Sequence, residues 1–147
     1  MIGNQLIQLL LDDPGYEKVI ALSRRPLAIT HSKLKTILTD LSSLEENKQA
    51  LVAHDVYCCL GTTIKVAGSK EAFSAVDFDY PLALAKITHA NGAKSFALVS
   101  SLGASADSFI FYNRVKGEIE KAIAEIGFDR YHIFQPSLLL GDRNEKR

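Results

Sequence analysis

The chain has 147 residues, with 17 basic and 17 acidic side chains and a formal net charge of zero. That balance offers no basic field to nucleic acid or to an anionic membrane surface. Hydrophobic residues at 47% and charged residues at 23% are the proportions of a soluble globular protein, and the length suits a single domain, residues 1–147, with a real core.

In chain order, Ile2 to Leu11 predict a helix that is apolar nearly all round and therefore buried on most sides. Asp12-Asp13-Pro14-Gly15 stops it. Val19 to Ser23 is a short apolar strand running into Arg24-Arg25-Pro26, and Leu34 to Thr39 is a second strand followed by Asp40-Leu41. A short helix is expected around Leu44 to Val52, then a strand from Asp55 to Leu60, closed by Gly61-Thr62-Thr63. Cys58 and Cys59 are adjacent on that strand and point to opposite faces, so they predict packing thiols in a reducing, cytoplasmic setting rather than a disulfide. From Ser69 to Ala90 the pattern is helical, with a kink or break expected at Pro81; Asp77 and Asp79 there are expected to face solvent or cap the kink. Phe96 to Ser101 is an apolar strand tipped by two serines, Tyr112 opens a helix reaching Ile126, and Arg130 to Gln135 is a last strand before Pro136-Ser137. Strands alternating with helices in this way predict a doubly wound parallel α/β sheet. No apolar run reaches the roughly 20 residues of a membrane span. The amino terminus has no basic segment or cleavage pattern, so no signal peptide is expected. The four histidines are scattered without metal-ligand spacing, so no metal site is expected.

The Tyr112 helix carries an anomaly. At about 100° per residue, Val115, Ile119, Ile123 and Ile126 form one apolar arc, and Tyr112 and Lys116 fall inside it. A lysine on a packed stripe needs a reason. One is chemical: an ammonium one turn from a tyrosine favours phenolate, which makes a general acid/base, and a serine hydroxyl nearby could orient the oxygen it serves. The other is structural, with Lys116 snorkelling from the stripe edge and Tyr112 acting as a core aromatic.

Val99-Ser100-Ser101 followed a dozen residues later by Tyr112-x-x-x-Lys116 resembles the active site of short-chain dehydrogenases/reductases. Further runs narrow the resemblance: residues 58–63 (Cys-Cys-Leu-Gly-Thr-Thr), Asp77-Phe78-Asp79-Tyr80, Ser100-Ser101-Leu102-Gly103-Ala104 and Tyr112-Asn113-Arg114-Val115-Lys116-Gly117-Glu118. Phe128-Asp129-Arg130-Tyr131 and Pro136 to Arg143 belong to the same pattern. Together they are similar to atypical members of that family, the Tat-interacting oxidoreductase-like proteins and bacterial NAD(P)H-binding relatives.

The resemblance implies a Rossmann fold and a site outside the carboxyl ends of the strands. Tyr112 would be the proton donor/acceptor, Lys116 would hold the nicotinamide ribose, and Ser101, with Ser100 as the alternative, would bind the substrate oxygen. Asp40 and Leu41 would flank the adenine, and Leu60 and Gly61 would let backbone approach the cofactor. Pro136 and Ser137 close the set at the last strand. Where an NAD-preferring site carries an acid, this chain has Arg24 and Arg25, suited to a 2′-phosphate; NADP(H) is therefore expected over NAD(H). The expected function is oxidoreduction of a small carbonyl or alcohol, with a small-molecule substrate and neither nucleic acid nor membrane as partner. An NADPH-sensing regulator without turnover and a non-binding remnant are the competing readings.

The chain departs from the pattern at both ends. The family opens with a strand and a Gly-x-x-Gly-x-x-Gly turn, of which only the last glycine, Gly3, is present here. In the usual strand order that first strand is central, so a slot is expected in mid-sheet. The family also continues several tens of residues beyond Arg143. A misplaced start, a fragment and a degenerate copy are all compatible with this pattern.

Overall fold

The computed structural model describes residues 2–40, 43–137 and 139. Leu41 and the run Gly141-Asp142-Arg143 lie outside the described residues. Helix α1 (Ile2–Asp12) leads to strands β1 (Val19–Ser23) and β2 (Leu34–Leu38), then a 3₁₀ helix (Glu45–Ala50) and β3 (Asp55–Cys58). Helices α2 (Ile64–Ala67), α3 (Lys70–Ser74) and α4 (Tyr80–Ala90) follow, then β4 (Ser95–Val99), α5 (Phe111–Ala124) and β5 (Arg130–Phe134). The five strands match the five expected from the sequence, within one or two residues at each end.

Every strand pair is parallel. β1 and β2 form one sheet, with Val19 opposite Leu34 and Ser23 opposite Leu38. β3, β4 and β5 form a second in that order, with Val56 opposite Phe96 and Phe96 opposite Tyr131. Between the free edges of β1 and β3 lies a cavity of about 860 Å³ bordered by Leu6, Leu10, Ile20, Leu22, Val56 and Cys58. The mid-sheet slot expected from the sequence is thus present, in the expected place. Central β4 is buried along almost its whole length, and Phe96 and Leu98 pack with Leu84 and Ala85 of α4 and Ile119 and Ile123 of α5. A strand covered on both faces reads as an unbroken apolar run, as this one does.

Two helical expectations are corrected. Helix α1 is not buried on most sides: only Leu11 is fully buried, and Leu9 is 68% exposed. Leu6, Ile7 and Leu10 face the cavity rather than a strand, so the apolar surface has space where a sheet would cover it. The long helix breaks up before Pro81. Thr63 and Ser69 cap α2 and α3 by accepting from Val66 N–H and Ala72 N–H, and Gly68 ends α2 with φ +89°. Ala75–Asp79 then form a single π-helical turn leading into α4. Pro81 has no N–H to give the preceding turn and its ring crowds that turn's carbonyls, so the helix widens there instead of kinking later.

Candidate functional site

β4 ends at Val99, which leaves Ser100 and Ser101 just past the sheet rather than on it. Ser100 N–H donates to Phe134 O (2.7 Å) and Leu102 N–H to Pro136 O (3.1 Å), tying this loop to the end of β5. The Oγ atoms of both serines are buried and, among the described residues, have no hydrogen-bond partner. Buried hydroxyls are normally satisfied, so two orphans side by side at a strand tip are unusual.

Helix α5 buries Val115, Lys116, Gly117, Ile119 and Ile123, the arc read from its periodicity. Lys116 does not snorkel. Its side chain is 5% exposed, and its Nζ lies 2.5 Å from Oδ1 of Asp77, whose side chain is fully buried on the π turn. The other oxygen, Oδ2, accepts from Thr62 N–H at 2.9 Å. Gly61 roofs the pair: a Cβ built there would lie 3.6 Å from both Asp77 Oδ1 and Lys116 Nζ. The expectation that Asp77 faces solvent is therefore corrected, whereas Asp79 is exposed. A buried charge is tolerated only with a partner, so the lysine on the apolar arc was itself the signal that an acid had to be found. Tyr112 is half-buried, with its ring 5.3 Å from that of Phe73.

The remaining expected residues fall into two groups. Leu60 and Gly61 leave β3 beside Lys116, and Gly3, in the first turn of α1, faces Cys59 at the end of β3. Pro136 is half-buried and Ser137 exposed beyond β5. Arg24 and Arg25 are exposed past β1, with Arg25 N–H donating to Ser23 Oγ, and Asp40 is exposed past β2. The Asp40 carboxylate accepts from Ser43 N–H and Ser43 Oγ. These three stand past the ends of β1 and β2, in the sheet that does not include β3. Among the described residues no three His, Cys, Asp or Glu side chains converge on a metal position, and no helix is long and apolar enough to cross a membrane. The cysteines are free, Cys58 buried and Cys59 half-buried.

A family model described as NAD(P)H-binding matches residues 1–146. The chain belongs to this NAD(P)H-binding family. It is 39% identical over 149 residues to Protein HTATIP2 of Rattus norvegicus and 39% identical over 150 residues to Protein FMP52, mitochondrial, of Candida albicans. Both alignments take in 99% of this chain, which spans 61% of the rat protein's length and 66% of the Candida protein's. These relatives bear out the resemblance to the oxidoreductase-like branch. Among solved structures, MoeE5 in complex with UDP-glucose and NAD superposes with a TM-score of 0.71 at 19% identity, covering 90% of this chain and 48% of that one. UDP-glucose 4-epimerase of Thermotoga maritima with UDP-glucose gives 0.73 at 12% identity, covering 92% and 52%. At such identities the likeness establishes the Rossmann fold. The cytoplasmic setting expected from the cysteines is overturned, because several of the fungal relatives are named mitochondrial. Packed free thiols argue against an oxidising compartment and do not choose among reducing ones.

Proposed function

We propose that this chain is the cofactor-binding part of an NADP(H)-dependent oxidoreductase that acts on a small carbonyl or alcohol. The observation that carries the reading is the buried Lys116 at the carboxyl end of a parallel sheet, beside two buried serine hydroxyls without partners. These groups fit the nicotinamide-ribose end of a dinucleotide. The ammonium has no acceptor but Asp77 among the described residues, so its other protons are open to ribose hydroxyls. When bound, the nicotinamide supplies or accepts the hydride. Tyr112 gives the proton to, or takes it from, the substrate oxygen, and Ser101, or Ser100 in its place, donates a hydrogen bond to that oxygen. Leu60, Gly61, Pro136 and Ser137 would line the approach, and the amino-terminal turn of α1 at Gly3 would offer backbone N–H groups to the pyrophosphate. Arg24 and Arg25 would hold a 2′-phosphate, and Asp40 would serve the adenine end.

The test is oxidation of NADPH by a panel of carbonyl compounds, with Tyr112→Phe as the control. The phenyl ring keeps the packing on Phe73 and loses only the hydroxyl that carries the proton, so kcat is expected to fall by roughly 10²–10⁴-fold while NADPH affinity stays within a few-fold. A variant that keeps full kcat on a demonstrated substrate removes Tyr112 from the chemistry.

A further inference from the structure

Asp77 is the one buried acid in this site, and three features set it apart from an ordinary core ion pair. Its two oxygens serve two different elements: Oδ1 faces Lys116 Nζ of α5, and Oδ2 accepts from Thr62 N–H of the loop leaving β3. It rides on the π turn Ala75–Asp79, a rare helical form that recurs at functional positions. The pair lies against Gly61 of the loop leaving β3, where a Cβ would come within 3.6 Å of both Asp77 Oδ1 and Lys116 Nζ. We propose that Asp77 is a positioning residue, holding the Lys116 ammonium under the β3 exit loop so that lysine and loop meet the cofactor as one unit. This rests on the proposed function for what the unit binds.

The physical case is one of geometry and charge. Lysine has four rotatable side-chain bonds, and a free ammonium in this pocket would lie buried without an anion or swing away from the site. A carboxylate anchored by a backbone N–H is itself fixed, so it fixes the ammonium opposite it. Neutral side chains of similar volume could serve packing alone, because a buried pair is often replaceable by apolar groups without loss of stability. Packing therefore does not require this pair, whereas orienting an ammonium does.

The experiment compares the wild type with Asp77→Asn, Lys116→Met and the double variant Asp77→Asn/Lys116→Met, by thermal melting and by NADPH binding followed through cofactor fluorescence. Asp77→Asn can keep an oxygen for Thr62 N–H but turns the NH₂ donor towards Lys116, so both the charge and the acceptor opposite the ammonium are lost. Positioning predicts that it weakens NADPH binding at least ten-fold and lowers kcat more than it changes KM for the carbonyl substrate. The double variant is expected to regain much of the melting temperature lost by Lys116→Met without regaining NADPH binding. Asp77→Asn with wild-type NADPH affinity, kcat and KM overturns the proposal. Reductive methylation read by mass spectrometry adds a direct readout of the lysine, with exposed Lys65 and Lys121 as internal references. Relative to them, Lys116 is expected to react at least ten-fold faster in Asp77→Asn than in the wild type, and an unchanged ratio overturns the proposal. If the wild type binds no NADPH, the proposed function fails, while the methylation rates and the melting cycle still judge whether Asp77 holds the lysine.

Discussion

A Cβ built on Gly117 would lie 2.2 Å from the backbone nitrogen of Ala106 and from the carbonyl carbon of Ser105. No side chain fits there, so the loop after the two serines lies directly on α5, and Ser105 N–H donates to Asn113 O at 3.0 Å. Gly117→Ala must push that loop away. A loss of about 1–3 kcal/mol is expected from such overpacking, seen as a lowered melting temperature together with a reduced kcat, since the displaced loop carries Ser101. A variant as stable and active as the wild type would show that the loop yields freely. Arg24 and Arg25 allow a sharper test of cofactor choice. If they clamp a 2′-phosphate, replacing both with alanine weakens NADPH binding by roughly 2–4 kcal/mol, about 30- to 1000-fold. NADH has no group there, so its affinity should barely move. Calorimetry with both cofactors decides: equal losses make the arginines structural. At this scale the sequence revealed the anomaly and not its resolution. The 3.6-residue period placed Lys116 on the buried face of its own helix. Its partner is 39 positions away on a turn whose irregular winding no periodicity encodes.

Among the elements, β3 carries the most consequence for the least length. Its four residues pair with β4 on one edge and face the cavity on the other. Cys58 on this strand is fully enclosed, and burial pushes its thiol from 9.0 up to about 12. The fold therefore favours the neutral thiol. That contribution to stability is fully present below about pH 9 and is lost as the pH rises towards 12, on the order of 4 kcal/mol at 1.36 kcal/mol per pH unit. Melting temperatures of the wild type and Cys58→Ala are expected to converge between about pH 9 and pH 11, because only the wild type loses this term. A constant difference across that range would mean that Cys58 does not titrate from a buried state. The strands were legible as short apolar runs bounded by polar residues, although only β4 is buried along nearly its whole length and β5 is largely exposed. The helices were less so. Residues 69–90 read as one amphipathic helix with a proline fault, whereas they form α3, the π turn and α4, preceded by the separate short helix α2 that Thr63 caps. Capping acts within one turn, and the hydrophobic stripe continues across it.

For the whole molecule the decisive feature is the 860 Å³ cavity between the two sheets. The edges of β1 and β3 that border it carry backbone N–H and C=O groups without a ladder partner, and the side chains around it are largely apolar. Water can satisfy the backbone groups, but it then wets Leu6, Ile20, Leu22 and Val56. If the space stays dry, each unsatisfied group costs about 1–3 kcal/mol, against a net stability of about 5–15 kcal/mol for a domain. Either way a large share of the stability is consumed. Residues 1–147 on their own are therefore expected to melt at a lower temperature and over a broader range than a chain with the slot filled, or to self-associate through the open edges. The same chain joined at Met1 to an apolar five-residue strand and a Gly-x-x-Gly turn should melt cooperatively. It should also gain more from NADPH, because the turn adds backbone N–H groups for the pyrophosphate to those at the amino terminus of α1. Thermal melts of the two lengths, with and without NADPH, and sedimentation of each provide the comparison. A monomeric, cooperative melt of the short chain, raised by NADPH as much as that of the long one, would mean that the β1 and β3 edges close on each other in solution and that no strand is needed between them.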